Sequence, residues 1–202
     1  RLRLVLAPPL EVLLPMEGSV LDWAGDLLPF QLDGVRVLVS RSEVLLADDM
    51  GLGKTVQAIT SLRILFRKRA VDCALVVAPA SLVYQWRSEV AKWAPELRVS
   101  TVKGSPEQRA MQWSFPAHVF VTTYETIRSD LSSDPNCGPR RKTWGVVVLD
   151  EAQRIKNRDT AASIACKSIP RWRSWALTGT PLENSIDDLA SILDFLQPNV
   201  AG

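Results

Sequence analysis

The sequence predicts a three-layer α/β domain with a mostly parallel central sheet, and three observations support this fold class. Short apolar runs are separated by helix-length amphipathic segments along most of the chain. Several of these runs are apolar at every position, which is typical of parallel strands covered on both faces. The chain has 202 residues, of which 47% are hydrophobic and 23% charged, so it can bury a core and is not intrinsically disordered.

Six runs are strand candidates. We place strands at 43–47, 74–78, 99–102, 119–123, 146–149 and 174–177. Residues 1–27 mix prolines, leucines and acids without a sustained period, so we expect a loosely structured lead-in there. An ordered domain is expected over residues 28–202.

Helical signals lie between the strand candidates. The segment from Lys54 to Arg69 has apolar residues at helical spacing and ends in a basic run that suits a helix C-terminus. Ser81 is expected to cap the next helix, whose Trp86 and Trp93 we assign to the core. Residues 105–108 form a capping box with proline at the first helical position.

Two further segments complete the predicted organisation. Ile186, Leu189, Ile192 and their neighbours mark a last amphipathic helix that stops at Pro198. Residues 129–143 are rich in turn-forming residues and are predicted to be an exposed loop. The basic cluster Arg140-Arg141-Lys142 within that loop either touches DNA or keeps the loop solvated.

Composition restricts the function classes. The net charge of +2 is too small to indicate nucleic-acid or membrane binding without local clustering. Three distant cysteines and a single histidine make a disulfide framework or a structural zinc site improbable, and they indicate a reducing, cytosolic compartment. Prolines interrupt the leucine-rich start well short of the ~20 apolar residues that span a bilayer, so no membrane association is expected. Because the chain begins at Arg1, we expect it to be a piece of a longer protein.

The segment 46–55, LADDMGLGKT, lies between the first predicted strand and a predicted helix. A phosphate-binding loop requires this context. Gly51 and Gly53 allow the backbone to approach a phosphate, and the amides at the helix N-terminus point at its oxygens. Lys54 supplies a positive charge and Thr55 a magnesium ligand. The segment therefore predicts nucleotide binding.

Two acids, Asp150 and Glu151, follow the apolar run 146–149. Ligands of open parallel sheets bind beyond the carboxyl ends of the strands, the edge on which the phosphate loop also lies. Asp150 would hold magnesium, directly or through water, and Glu151 would orient and deprotonate an attacking water. The alternative is a solvated strand end with an acid that caps a helix, and the neighbouring phosphate loop disfavours it.

Two more segments indicate a function only in combination with the phosphate loop and the two acids. Residues 177–184, LTGTPLEN, follow an apolar run and supply hydroxyls near the same edge, although a turn there needs no function. Gln31 lies just ahead of the first strand, and its side-chain amide both donates to and accepts from an adenine edge.

Together, six segments resemble the ordered motifs of the Snf-type DNA translocase ATPases of helicase superfamily two. These segments are LPFQ, LADDMGLGKT, VVAPASLVYQW, FVTTYET, VVVLDEAQRIKN and ALTGTPLEN. The resemblance covers about residues 28 to 198, and TGTPLEN with the IKN triplet favours this branch over the RNA helicases. It implies the N-terminal RecA-like lobe of a two-lobed motor, with ATP and magnesium as cofactors.

The resemblance implies a role for each matched residue. Glu151, Asp150 and Lys54 would be catalytic, and Thr55 and Asp150 would hold magnesium. The nucleotide-binding residues would be Gln31, which reads adenine, with Asp48, Asp49, Met50, Gly51, Leu52, Gly53, Lys54 and Thr55. The residues that contact DNA or couple it to the nucleotide would be Pro79, Ala80, Ser81, Thr122, Thr123, Thr178, Gly179 and Thr180. Contacts of this kind are made to phosphates and are largely independent of sequence.

Three positions depart from the usual patterns. Asp48 stands where the strict phosphate-loop pattern has glycine, and Asp49 where the family usually has glutamate. We expect the shorter Asp49 to be tolerated, because the backbone makes most of the phosphate contacts. Gln153 replaces the commoner histidine, which we interpret as a subgroup difference in coupling and not as inactivity.

The resemblance implies the motor lobe of an enzyme that couples ATP hydrolysis to movement on double-stranded DNA. The family's second lobe supplies an arginine finger, which contributes about 10³ to 10⁵ in rate, and the chain ends at Gly202 before any such lobe. This lobe alone should bind ATP weakly with little turnover. The expected partners are DNA, the second lobe and a DNA-bound protein target. The expected location is the cytoplasm, on the nucleoid in a bacterium, or the nucleus in a eukaryote.

Two other function classes compete with this interpretation. A nucleotide-binding scaffold that regulates partners without turnover would use the same phosphate loop. A small-molecule kinase or GTPase fits less well, because the sequence has no Asn-Lys-x-Asp signature for guanine and no arginine cluster near the loop.

Overall fold

The computed structural model describes residues 23–134, 137–179 and 186–197, with side chains from residue 189 onward in the last range. Six strands form one sheet in the order β1-β6-β5-β2-β4-β3, and every neighbouring pair is parallel. The predicted α/β class is therefore confirmed, and the sheet is parallel throughout.

Strands and helices alternate along most of the described chain. The strands are β1 (Glu43–Leu46), β2 (Ala74–Ala78), β3 (Val99–Thr101), β4 (Val119–Thr123), β5 (Val146–Asp150) and β6 (Ser174–Leu177). The helices are α1 (Pro29–Ser40), α2 (Lys54–Arg67), α3 (Ala80–Trp93), α4 (Pro106–Trp113), α5 (Tyr124–Ser133), α6 (Ala161–Lys167) and α7 (Ile186–Leu196). Each predicted strand agrees with an observed one to within one residue at either end.

The sheet separates two hydrophobic cores, because successive side chains of a strand point to opposite faces. In β2, Val76 packs into the core that contains Leu62 of α2 and Val90 of α3. Its neighbour Val77 packs into the other core, with Ile127 of α5 and Phe195 of α7. Helices on both faces explain why the strands are apolar at every position, and they give the three-layer arrangement.

The carboxyl ends of three neighbouring strands are aligned. Leu46 at the end of β1 pairs in register with Leu177 at the end of β6, which in turn pairs with Asp150 at the end of β5. Because all strands are parallel, the segments that follow β1, β2, β4, β5 and β6 emerge at one edge of the sheet. The three segments after β1, β5 and β6 therefore start from a single row.

Two local predictions are wrong. Ser81 does not cap α3, since the helix begins at Ala80 with Pro79 in the N-cap position. Residues 129–143 are not one exposed loop, because α5 continues to Ser133 and Pro139 is buried in a short 3₁₀ turn. By contrast, the capping box of α4 is present, with the Ser105 hydroxyl accepting from the Gln108 amide. No helix within the described ranges is long and apolar enough to cross a bilayer.

Candidate functional site

A cavity of about 250 Å³ lies at the carboxyl edge of the sheet. Three groups of residues line it: the phosphate-loop segment with the start of α2, the acids at the end of β5, and one face of α3. Its lining is Met50, Gly51, Gly53, Lys54, Thr55, Val56, Leu82, Gln85, Glu89, Asp150 and Glu151. The fold thus brings together, around one space, residues that lie about a hundred positions apart in the sequence.

The loop after β1 depends on two glycines in the left-handed region. Gly51 has a φ of 85° and Gly53 a φ of 77°, and Gly53 is the N-cap of α2. A β-carbon on Gly53 would lie 2.5 Å from the Gln31 side-chain nitrogen, so a larger residue would be strained and would also displace Gln31. The loop therefore brings the first residues of α2, Lys54 and Thr55, to the cavity. A helix N-terminus is the position at which main-chain amides can bind an anion.

Lys54 is the buried cation of this loop. Its side chain is 9% exposed, and its Nζ donates to the main-chain oxygens of Asp48 at 2.6 Å and Asp49 at 2.9 Å. The Asp48 carboxylate accepts from the Gln57 side chain at 3.0 Å, which anchors the loop to α2. An anion that enters the cavity would compete with the two carbonyls for the ammonium group.

Asp150 is buried, with 5% of its surface exposed, and each of its carboxylate oxygens has a donor. Oδ2 accepts from the Trp86 indole Nε1 at 2.6 Å, and Oδ1 accepts from the Glu151 amide at 3.0 Å. Burial raises the pKa of Asp150 above its usual range, while the hydrogen bond from Trp86 opposes that rise. The carboxylate is consequently fixed in orientation at the wall of the cavity.

Glu151 is joined to β6 through Gln153. Glu151 has a φ of 52°, an uncommon value for a residue other than glycine that turns the chain sharply after β5. Gln153 donates from its side-chain nitrogen to the Glu151 carboxylate at 2.7 Å, and its side-chain oxygen accepts from the Thr178 hydroxyl at 2.9 Å. The segments after β5 and β6 are therefore connected by a continuous chain of side-chain hydrogen bonds.

Gln31 contacts the phosphate loop. Its side-chain oxygen accepts from the Leu28 amide at 3.0 Å, and its side-chain nitrogen donates to the Leu52 carbonyl at 3.1 Å. The predicted adenine reader is thus adjacent to the loop on which the phosphates would lie. An adenine that used both amide groups of Gln31 would have to replace these two bonds.

Sequence reasoning missed the part of α3 that lines the cavity. Leu82, Gln85 and Glu89 are spaced by three and four residues, which places them on one helical face. This spacing was a usable signal, but nothing local indicated that the face would be turned toward the phosphate loop. Trp86 lies in the core, as predicted, but nothing in the sequence indicates its hydrogen bond to Asp150.

The residues predicted to contact DNA differ in accessibility. Ala80 and Ser81 are exposed at the start of α3, whereas Pro79 is buried. Thr123 is partly buried, and its hydroxyl accepts from the Thr126 amide as the N-cap of α5. Thr122 is fully buried and donates to the Val102 carbonyl, so its hydroxyl is used within the protein.

The segment after β6 is described only in part. Thr178 is buried, with 1% of its surface exposed. A β-carbon on Gly179 would lie 2.5 Å from the Met50 side chain and 3.6 Å from Lys54 Nζ, which shows how closely this segment approaches the phosphate loop. Thr180 lies outside the described residues.

The basic cluster after the 3₁₀ turn is largely directed into the protein. Arg140 donates to the Ser168 hydroxyl at 3.2 Å. Lys142 Nζ lies 4.2 Å from the centroid of the Phe120 ring and 4.3 Å from that of Trp144. Burial lowers the pKa of Lys142. These two side chains therefore stabilise the fold, and of the three only Arg141 is exposed.

The donors around the cavity fit a magnesium nucleotide. Magnesium is usually held by one or two protein oxygens, together with phosphate oxygens and water, and not by a cage of protein ligands. Thr55 and Asp150 both line the cavity and carry side-chain oxygens of this kind. The described residues contain no cluster of three or more histidine, cysteine or acidic ligands.

Residues 30–202 match the model of the SNF2-related domain. The chain is 31% identical to the chromatin remodeling factor mit1 of Schizosaccharomyces pombe over 95% of its own length, which is 15% of that protein. It is 37% identical to the helicase SWR1 of Debaryomyces hansenii over 87% of its length, or 11% of that protein. The chain thus spans a small fraction of these relatives.

Solved structures give the same result. The structure of the Sulfolobus solfataricus SWI2/SNF2 ATPase core in complex with dsDNA superposes with a TM-score of 0.77 at 32% identity. That match covers 90% of this chain and 38% of the other. A second structure of this ATPase core domain matches with a TM-score of 0.72 at 31% identity.

Proposed function

Because the chain belongs to the SNF2-related family, we propose that it is the ATP-binding motor lobe of an enzyme that moves on double-stranded DNA. The observation that carries the proposal is the single cavity around which Lys54, Thr55, Asp150 and Glu151 meet. We further propose that residues 28–202 form the N-terminal RecA-like lobe and that residues 1–27 precede it as a lead-in.

The phosphate loop binds the nucleotide in this proposal. The first amides of α2 and the Lys54 ammonium group, released from the carbonyls of Asp48 and Asp49, donate to phosphate oxygens. Thr55 and Asp150 hold the metal end of the nucleotide, and Gln31 binds the adenine. Bound magnesium neutralises the charge that develops on the phosphates during their transfer.

Glu151 is the general base in this proposal, since it lines the cavity beside Asp150. The hydrogen bond from Gln153 fixes its carboxylate, so that the carboxylate orients a water and accepts the proton of that water as it attacks. Gln153 also accepts from Thr178, and a shift of the segment after β6 would therefore reach the base through the Gln153 side chain. This chain of side chains would couple DNA contact to hydrolysis.

The partner in the proposal is the backbone of double-stranded DNA. Ala80, Ser81 and Thr123 lie after β2 and β4, at the same edge of the sheet as the cavity. One solved relative is described as an ATPase core in complex with dsDNA, and this chain covers 38% of it, which leaves room there for a second lobe. The relatives include a chromatin remodeling factor and DNA excision repair proteins, so in a eukaryotic cell we propose the nucleus as the location.

Replacement of Glu151 by glutamine tests the proposed function. In a protein that carries both lobes, Glu151→Gln should leave Mg-ATP binding unchanged and lower DNA-stimulated hydrolysis about 10² to 10⁴-fold, the usual contribution of a general base. Glu125→Gln is a matched control, because Glu125 is 58% exposed and forms a surface ion pair with Arg154. Undiminished hydrolysis in Glu151→Gln would contradict the assignment of the base.

The measurement of DNA-stimulated hydrolysis also distinguishes a motor from a regulatory scaffold. A regulatory scaffold would bind Mg-ATP through the same loop, but its wild-type form with both lobes would not turn it over, with or without DNA. The present lobe alone should bind ATP weakly and hydrolyse little, because the arginine finger of the family comes from the second lobe.

A further inference from the structure

Trp86 makes a hydrogen bond that core packing does not require. The side chain is fully buried in the middle of α3, and its indole Nε1 donates to Asp150 Oδ2 at 2.6 Å across 64 positions of sequence. Hydrogen bonds to a charged acceptor are shorter and stronger than neutral ones. The bond therefore holds a specific oxygen of a specific carboxylate.

Two other buried tryptophans show that the fold does not demand such a bond. The indole nitrogens of Trp93 and Trp175 are buried and have no hydrogen-bond partner within the described residues. Trp93 lies two turns after Trp86 on the same helix. Since this protein tolerates buried indoles without acceptors, the contact between Trp86 and Asp150 is better explained by what it does for Asp150.

The hydrogen bond from Trp86 helps to fix the orientation of the Asp150 carboxylate. Oδ1 accepts from the Glu151 amide and Oδ2 from Trp86, so rotation of the carboxylate about its last torsion would break both bonds. Each oxygen keeps one more lone pair, because a carboxylate oxygen accepts about two hydrogen bonds. Asp150 lines the cavity, and the two hydrogen bonds leave those lone pairs unused.

We propose that Trp86 is a positioning residue that holds Asp150 in the orientation needed to bind magnesium, and that it thereby links α3 to the nucleotide cavity. The inference rests on the proposed function, which assigns magnesium to Asp150. The bond also connects Asp150 to a helix, α3, whose first residues Ala80 and Ser81 are exposed. A displacement of α3 by DNA at its N-terminus would be transmitted to the magnesium ligand within two turns of one helix.

Nuclear magnetic resonance of the wild-type chain tests the proposal without disturbing the core. The seven tryptophans give seven indole N–H signals, which single Trp→Phe variants assign. With ATP present throughout, addition of magnesium in place of a chelator should shift the Trp86 indole signal and leave those of Trp93 and Trp175 nearly unchanged. The amides of Gly51 and Gly53 report separately whether the nucleotide binds.

The outcomes separate this inference from the proposed function. If the glycine amides respond to Mg-ATP but the Trp86 indole moves no more than that of Trp175, the positioning role is overturned and nucleotide binding stands. If neither the glycine amides nor any indole responds at saturating Mg-ATP, both the inference and the proposed nucleotide site are overturned.

A pair of variants gives a second, quantitative test. Trp86→Phe keeps an aromatic ring but removes the donor, and should raise the magnesium concentration needed for half-maximal ATP binding about 10- to 100-fold, as loss of a ligand-orienting partner does. Trp93→Phe removes a similar volume from the same helix and should leave that concentration unchanged. Equal magnesium dependence in the two variants would refute the proposal.

Discussion

Two buried cations, Lys54 and Arg171, lie at opposite edges of the sheet and are held by main-chain carbonyls. Lys54 follows β1 and donates to the carbonyls of Asp48 and Asp49. Arg171 precedes β6 and is fully buried, with its N–H groups donating to the carbonyls of Ile169 and Phe195 among others. Its guanidinium lies 4.2 Å from the centroid of the Phe195 ring.

The difference lies in what surrounds each cation. Lys54 lines an open cavity, so its carbonyl partners can be exchanged for phosphate oxygens. Arg171 donates to carbonyls at the ends of α6 and α7 and to the Ser174 hydroxyl, and burial lowers its pKa to about 10. Both the functional cation Lys54 and the structural cation Arg171 are therefore buried and donate to carbonyls. They differ in that only Lys54 adjoins the nucleotide cavity.

The largest effect on stability is expected at Arg171. Arg171→Met should lower the free energy of unfolding by about 3 kcal/mol, because several buried carbonyls lose their donor at once. Lys54→Ala should change it by less than about 1 kcal/mol, since water in the cavity can replace the ammonium group at its two carbonyls. Urea denaturation of both variants measures the difference. Similar losses of unfolding free energy in the two variants would contradict the different roles of Lys54 and Arg171.

A smaller effect, on turnover alone, is expected at Gln153. Gln153→Ala removes the two hydrogen bonds that connect Thr178 to Glu151. It should lower DNA-stimulated hydrolysis by about tenfold, the value of one hydrogen bond to a charged group. Mg-ATP affinity and stability should stay close to wild type. Gln112→Ala is the matched control, because Gln112 bonds the Lys103 amide away from the cavity. Hydrolysis at the wild-type rate in Gln153→Ala would show that the hydrogen bonds through Gln153 do not couple Thr178 to Glu151.

The smallest effect concerns Lys142, a cation held by aromatic rings. Because burial lowers its pKa, the unfolded chain binds more protons than the folded one between that lowered pKa and the ordinary value of 10.5. Stability should therefore rise with pH in that window relative to Lys142→Met, since protons favour the state that binds more of them. Urea midpoints of both proteins across the window measure this in a Cys73→Ala background, because Lys142 lowers the pKa of the Cys73 thiol and its replacement would change that titration as well. Parallel pH profiles would contradict it.

The fold was predictable because its signals are local. Each strand is a short apolar run bounded by polar or turn-forming residues, and continuous burial on both faces leaves little ambiguity. The errors came where local signals compete. Ser81 looks like an N-cap, but Pro79 occupies that position one residue before the helix starts. The basic stretch at Lys142 looks solvated, but Phe120 and Trp144 approach it from β4 and from the chain just before β5.

The candidate site was predictable only where its residues are neighbours in sequence. The glycines, Lys54 and Thr55 share one loop, and Asp150 and Glu151 share one strand end. Contacts between distant segments carry no such local signal. The bond from Trp86 to Asp150 spans 64 positions and that from Thr178 to Gln153 spans 25, and both depend on how the helices pack against the sheet.

Calorimetric binding of Mg-ATP to the wild-type chain and to Lys54→Ala tests the central claim most directly, because every functional statement depends on this cavity. Loss of a charged hydrogen bond costs about 1.5–3 kcal/mol, so the variant should bind about 10- to 100-fold more weakly while remaining folded. Equal affinity in the two proteins would mean that Lys54 does not contact the phosphates, and the assignment of the phosphate loop would be wrong.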